Sequence, residues 1–321
     1  MENHCLSECP KEEQVPENGS DDDGDSVEKS GCVDGTHHER PVCEAQQEID
    51  HVLSEDFSAW RQTIGGGYLI EDDDRAVVDT KMASYETNEE RKNTNHLTPS
   101  TYGEVTRSGA RELFGLMDMV DKLDNNNDNN KQKIVFMDMG SGLGKMVMQA
   151  YMELPRISRA IGVELSPERH RQAVAAWEIL EPRARAIRLQ GCSSAYVDVD
   201  NDDGEGGPKE AKVQLIEGDF LEADLSEVTH MWVSSLCYTD EMMYQLGSKI
   251  QNEKPPKLEC IATLRPFPKE FSKKGIVDRV SYQVVYKALG MIHRTEWAEM
   301  SWSKRQGEKS TINIYTKPSS K

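Results

Sequence analysis

One segment constrains this chain more than any other. The strand-like run Ile134-Val135-Phe136-Met137 leads straight into Asp138-Met139-Gly140-Ser141-Gly142-Leu143-Gly144, and apolar residues then recur at helical spacing from Met146 to Leu154. A short apolar run of this kind suits a buried strand. Glycines at alternate positions let the backbone turn sharply and approach a ligand closely. The step to the last glycine is two residues rather than the three of the dinucleotide fingerprint, and an acid precedes the glycines. A carboxylate at that point suits a cationic group and disfavours a pyrophosphate.

The rest of the body repeats the alternation. Strands are expected at Ala160-Ile161-Gly162-Val163, Val213 to Ile216, Met231-Trp232-Val233 and Leu258 to Leu264, with a terminal antiparallel pair at Val280 to Tyr286 and Thr311 to Tyr315. Helices are expected from Glu104 to Leu123, from Ser166-Pro167-Glu168 to about Leu180, and from Glu241 to Ile250. The second of these opens with a Ser N-cap and Pro at the first helical position. Strands alternating with helices predict an α/β fold, a mostly parallel seven-stranded sheet with helices on both faces. Ligands of such sheets sit beyond the carboxyl ends of the strands, so the chemistry belongs in the turns there.

Two more turns fit that expectation. Glu164 closes the second strand, and an acid at this distance from the glycines suits ribose hydroxyls. Glu217-Gly218-Asp219-Phe220 follows the third strand. Asp219 could accept from an adenine amino group while Phe220 packs on the ring, although Phe220 could equally be plain core.

Charge divides the chain. Its formal net charge is -19, but residues 1–100 hold 25 of the 57 acids and 8 of the 38 bases, a net of -17. Residues 1–43 combine acids with Ser, Gly and Pro and predict a disordered acidic tail. Residues 44–96 read as a short amphipathic helix, carrying Ile49, Val52, Leu53, Phe57 and Trp60, and a polar linker into a body spanning 97–321. No stretch approaches the ~20 apolar residues of a membrane span. Seven scattered cysteines argue against a disulfide framework, and their spacing with the tail histidines matches no closed zinc site.

The D-x-G-x-G-x-G arrangement resembles that of class I, Rossmann-like methyltransferases, which implies S-adenosylmethionine as cofactor. Together, Thr101-Tyr102-Gly103-Glu104-Val105, Met137 through Gly144, Gly162-Val163-Glu164 and Gly218-Asp219-Phe220-Leu221 resemble the disruptor-of-telomeric-silencing family of non-SET histone-lysine methyltransferases. Arg265-Pro266-Phe267 and Ser301-Trp302 are less specific landmarks of the same family. The resemblance implies that Tyr102, Gly103, Glu104 and Val105 fold over the cofactor. Asp138, Met139, Gly140, Ser141, Gly142, Leu143, Gly144 and Lys145 would line its methionine and ribose side. Glu164 would hold the ribose, and Asp219 and Phe220 the adenine. It further implies a histone or other lysine-bearing protein as substrate, a lysine in the globular core of a nucleosomal histone above all, and a nuclear address.

Two departures fall on the substrate side. The family's paired asparagines and aromatic after the fourth strand are replaced by Ser234-Ser235-Leu236-Cys237-Tyr238, which makes Ser234, Ser235 and Tyr238 the expected channel residues. No strong general base accompanies them, and Cys237 reads as a small buried apolar residue. On the last strand, where the family has tyrosines beside the lysine channel, this chain offers only Tyr315. A non-histone protein substrate, or a cofactor-binding scaffold without catalysis, remain alternatives. Residues 254–321 carry 14 bases against 6 acids, so this segment could touch nucleosomal DNA.

Overall fold

The computed structural model describes residues 40–56, 72–84, 104–120, 133–191, 211–267, 289–301 and 309–318. The acidic tail to residue 39, Tyr102, Gly103, the acidic insertion at 192–210 and the expected strand Val280 to Tyr286 lie outside them. Seven strands make one sheet: β1 (Ile134–Met139), β2 (Ile157–Glu164), β3 (Lys212–Glu217), β4 (His230–Val233), β5 (Cys260–Thr263), β6 (Ile292–Glu299) and β7 (Lys309–Thr316). Their order is β3-β2-β1-β4-β5-β7-β6. The pairings from β3 to β5 are parallel. β7 runs antiparallel to both of its neighbours, so the sheet is mixed.

That arrangement corrects the expected terminal pair. The partner of β7 is Ile292–Glu299, whose side chains are mostly exposed or half-buried, with Ile292 and Trp297 open to solvent. An edge strand with polar residues on both faces carries no apolar run to betray it.

Among the described residues, six α-helices flank the sheet: α1 (Arg40–His51), α2 (Asp72–Ala83), α3 (Arg107–Leu116), α4 (Lys145–Glu153), α5 (Pro167–Gly191) and α6 (Asp240–Glu253). Alternation along the strands divides the core in two. Ile134 and Phe136 of β1, Trp232 of β4 and Ala262 of β5 pack with Ile49 of α1, Leu113 and Phe114 of α3, Val147 of α4 and Leu180 of α5. On the other face Met137, Met139, Met231, Val233 and Ile261 meet Val78 and Met82 of α2 and Met242, Leu246 and Ile250 of α6. Each such fully buried side chain contributes roughly 1.5–3 kcal/mol. None of these helices is long and apolar enough to cross a membrane.

The chain leaves β1 toward β2 and β3, then returns to β4 on the other side of β1. The strand order therefore reverses between β1 and β4, and the crevice at their carboxyl ends is where a ligand of such a sheet binds.

Candidate active site

The glycine turn after β1 is held by its neighbour strand. Gly140, Gly142 and Gly144 all have positive φ, at 82°, 55° and 76°, which side chains rarely tolerate. The N–H groups of Gly140 and Ser141 both donate to the carbonyl of Val163, at 2.8 and 3.0 Å. A Cβ on Gly162 would sit 2.7 Å from Ser141 Oγ, so the turn lies directly on β2 at that position.

Glu164 joins three turns. Its Oε2 accepts from the N–H of Gly142 at 2.8 Å, and its Oε1 accepts from the N–H of Ser166 at 3.0 Å. Its backbone carbonyl accepts from Gly218 N–H at 2.9 Å, tying in the turn after β3. Arg169, on the first turns of α5, comes within 3.9 Å of the same carboxylate. Ser166 accepts from Arg169 N–H at 3.1 Å, the N-cap expected from the sequence.

Asp138 ends this set differently. It is buried in β1 between Gly162 and Trp232, and its Oδ1 has no hydrogen-bond partner. Burial, and then the negative charge of Glu164, push its carboxyl up to about 8. A buried acceptor left without a donor costs free energy unless a ligand supplies one. A cationic ammonium, which donates N–H, fits that requirement, and an unprotonated phosphate does not.

On the far side of the crevice, Phe220 and Tyr238 stack with ring centroids 5.0 Å apart and planes at 23°. The Tyr238 hydroxyl lies 3.6 Å from the place a Cβ would occupy on Gly140. Tyr238 thus lies among the expected cofactor residues. Burial, reinforced by Glu164, Asp138 and Asp219, raises its phenol far above the ordinary value, so it stays protonated at every physiological pH. Asp219 accepts from Leu221 N–H at 2.9 Å, and its Oδ2 meets Lys81 of α2 at 3.2 Å. Sequence reasoning missed Lys81, because α2 lies in the segment read as a polar linker and, among its residues with described side chains, only Val78 and Met82 are buried.

The remaining expected residues are placed as follows. Lys145 opens α4 and its Nζ lies 2.9 Å from Glu104 Oε2. Glu104 exchanges backbone and side-chain bonds with Ser301, and Val105 bridges Met300, so this loop is fastened to the end of β6. Met139, Leu143 and Gly144 are buried within the turn. Ser234 is half-buried at the end of β4. Ser235 is fully buried, with its hydroxyl accepting from Arg265 N–H at 2.9 Å. Cys237 is half-buried rather than enclosed. Tyr315 pairs with Ile261 inside the sheet, and its hydroxyl accepts from Phe267 N–H at 3.0 Å.

Residues 83–203 match the family model described as Histone methylation protein DOT1. No curated protein matches the chain. Similar solved structures include the methyltransferase domain of bacterial CtHen1, 12% identical over 65% of this chain and 98% of that chain, with a TM-score of 0.37. TrmN from Thermus thermophilus is 14% identical over 69% of this chain and 49% of that one, with a TM-score of 0.35. TrmK of M. capricolum, in complex with S-adenosyl-homocysteine, is 8% identical over 62% and 69%, with a TM-score of 0.33.

Proposed function

We propose that this chain, with the DOT1 histone-methylation match over residues 83–203, is an S-adenosylmethionine-dependent methyltransferase that modifies a lysine of a core histone. One observation carries the cofactor reading. Asp138 is a buried carboxyl with an oxygen that has no hydrogen-bond partner, placed where three turns converge on Glu164. The matched segment takes in Glu104, the glycine turn and Glu164, and stops short of Asp219 and the substrate-side turn after β4.

S-adenosylmethionine supplies a sulfonium methyl group. The chain's own residues bind, orient and exclude water. The turn from Asp138 to Lys145, with Glu164, would hold the methionine and ribose end, and Asp219 and Phe220 the adenine. Tyr238 and Phe220 keep that end dry. A lysine ammonium must lose its proton before it can act as a nucleophile, and a channel that strips water from it promotes that loss. Ser234, half-buried just after β4, carries a hydroxyl that could accept from such an amine.

The substrate-side departure favours a second reading, methylation of a lysine on a non-histone protein. Labelled S-adenosylmethionine incubated with the chain and nucleosomes, free histones or a cell lysate separates the two. Label on histones is expected. Label confined to non-histone bands would overturn the histone reading, and no label on any protein would leave a cofactor-binding scaffold. A nuclear site of action, and contact between residues 254–321 and nucleosomal DNA, belong to the same proposal.

A further inference from the structure

Arg265 ties the turn after β5 to the turn after β4 at several points at once. Its Nη1 donates to the backbone carbonyl of Tyr238, and its Nη2 donates to Asp240 Oδ1 at 2.5 Å. Its own N–H donates to the buried hydroxyl of Ser235 at 2.9 Å. Its carbonyl in turn accepts from Thr263 Oγ1 at 2.6 Å, which anchors the guanidinium-bearing residue to the end of β5. Between the three gripped positions lie a short 3-10 turn, Ser235–Cys237, and Thr239, whose side chain caps α6 by accepting from Met242 N–H.

The segment so gripped has a single large aromatic, Tyr238. Its backbone leaves the 3-10 turn extended, at φ -76° and ψ 141°, and its ring passes between Phe220 and the glycine turn. Shifting the Tyr238 carbonyl would swing the ring off Phe220. We propose that Arg265 is a positioning residue for the cofactor: by fixing the Tyr238 carbonyl and the start of α6, it sets the Tyr238 ring against Phe220 and Gly140 and so shapes the adenosine end of the site. This rests on the cofactor reading given above. It assigns a role on the cofactor side to Arg265, and it makes the Ser234-Ser235 replacement partly structural, since the Ser235 hydroxyl serves Arg265.

Titration calorimetry of the full chain with S-adenosylmethionine tests it, using Arg265→Met, Tyr238→Leu and the double variant, with thermal unfolding of each. Arg265→Met removes a charge-assisted bond to a backbone carbonyl and is expected to weaken cofactor binding by about tenfold or more. In the Tyr238→Leu background the same change is expected to alter affinity by less than about twofold, because the ring through which Arg265 acts is gone. The loss of melting temperature from Arg265→Met should persist in both backgrounds. Arg265→Lys, which keeps a donor for the carbonyl, should recover part of the affinity. Should Arg265→Met prove too unstable to titrate, Asp240→Asn loosens the same guanidinium from an exposed partner, and its smaller effect should vanish in the Tyr238→Leu background in the same way.

Equal loss of affinity from Arg265→Met with and without Tyr238 would overturn the proposal and leave Arg265 a purely structural tie. Failure of the unaltered chain to bind S-adenosylmethionine would instead overturn the cofactor reading itself, so the two failures are distinct.

Discussion

Asp138 shows how one residue can trade stability for binding. Its carboxyl is pushed up to about 8 by burial and by Glu164, so near neutral pH the free chain holds it mostly protonated. Because the folded value lies above the ordinary one, folding binds a proton in this window, and stability falls as pH rises from the ordinary carboxylate range to about 8. A bound cation favours the ionised form. Cofactor affinity should therefore rise between about pH 6.5 and about pH 9, as calorimetry across that range would show, and Asp138→Asn should flatten the curve. The same variant should melt roughly 3–8 °C higher at about pH 8 while binding more weakly. A pH-independent affinity in the unaltered chain would mean that Asp138 is already ionised. Lys81 poses a neighbouring question, since its ammonium meets the Asp219 oxygen that an adenine amino group would use. Lys81 is 40% exposed, so this ion pair is worth little. Lys81→Met should tighten binding by no more than about fivefold in the same titration, and weaker binding would show that Lys81 supports the carboxylate instead.

Among the elements, α5 explains both what sequence reveals and what it hides. Glu181-Pro182 reads as a stop, since proline lacks an N–H and disfavours helix before it. Yet Leu180, Ala184 and Ile187 carry the buried stripe on at helical spacing, and burial outweighs the lost bond. The same helix ends in a clamp: Arg188 donates to the carbonyls of Tyr151, Leu154, Pro155 and Ile157, which run from the end of α4 through the turn to the start of β2. Its guanidinium also lies 5.1 Å from the centre of the Tyr151 ring. Arg188→Met should cost about 2–4 kcal/mol in denaturant unfolding and leave cofactor affinity within about twofold of the original. The central strands β1, β4 and β5 and the glycine turn were legible because buried parallel strands are apolar runs and because glycine spacing is local. β6, α2 and the roles of Arg265 and Lys81 were not, because each depends on contacts across the sheet that leave no periodic trace.

At the scale of the whole molecule, charge is segregated. Residues 101–253, with 16 bases and 26 acids, include the site proposed for a cationic cofactor and a lysine, whereas residues 254–321 carry a net of +8. Reversing the charge of Lys269, Lys273 and Lys274, which lie outside the described residues, should weaken nucleosome binding most at low salt and reduce its salt slope by about three. An unchanged slope in an electrophoretic titration would place any DNA contact elsewhere.

The bridge between Val105 and Met300, with the paired bonds of Glu104 and Ser301, has a consequence in time as well as in space. Those partners stand 197 residues apart in Glu104 and Ser301, so a nascent chain can lay down β1 to β5 while the loop at Glu104 still lacks its anchor. At a synthesis rate of ~5–20 residues per second, the glycine turn and its strands would exist for many seconds before the loop could be fastened. The anchor of this loop is therefore among the last parts of the sheet to be synthesised.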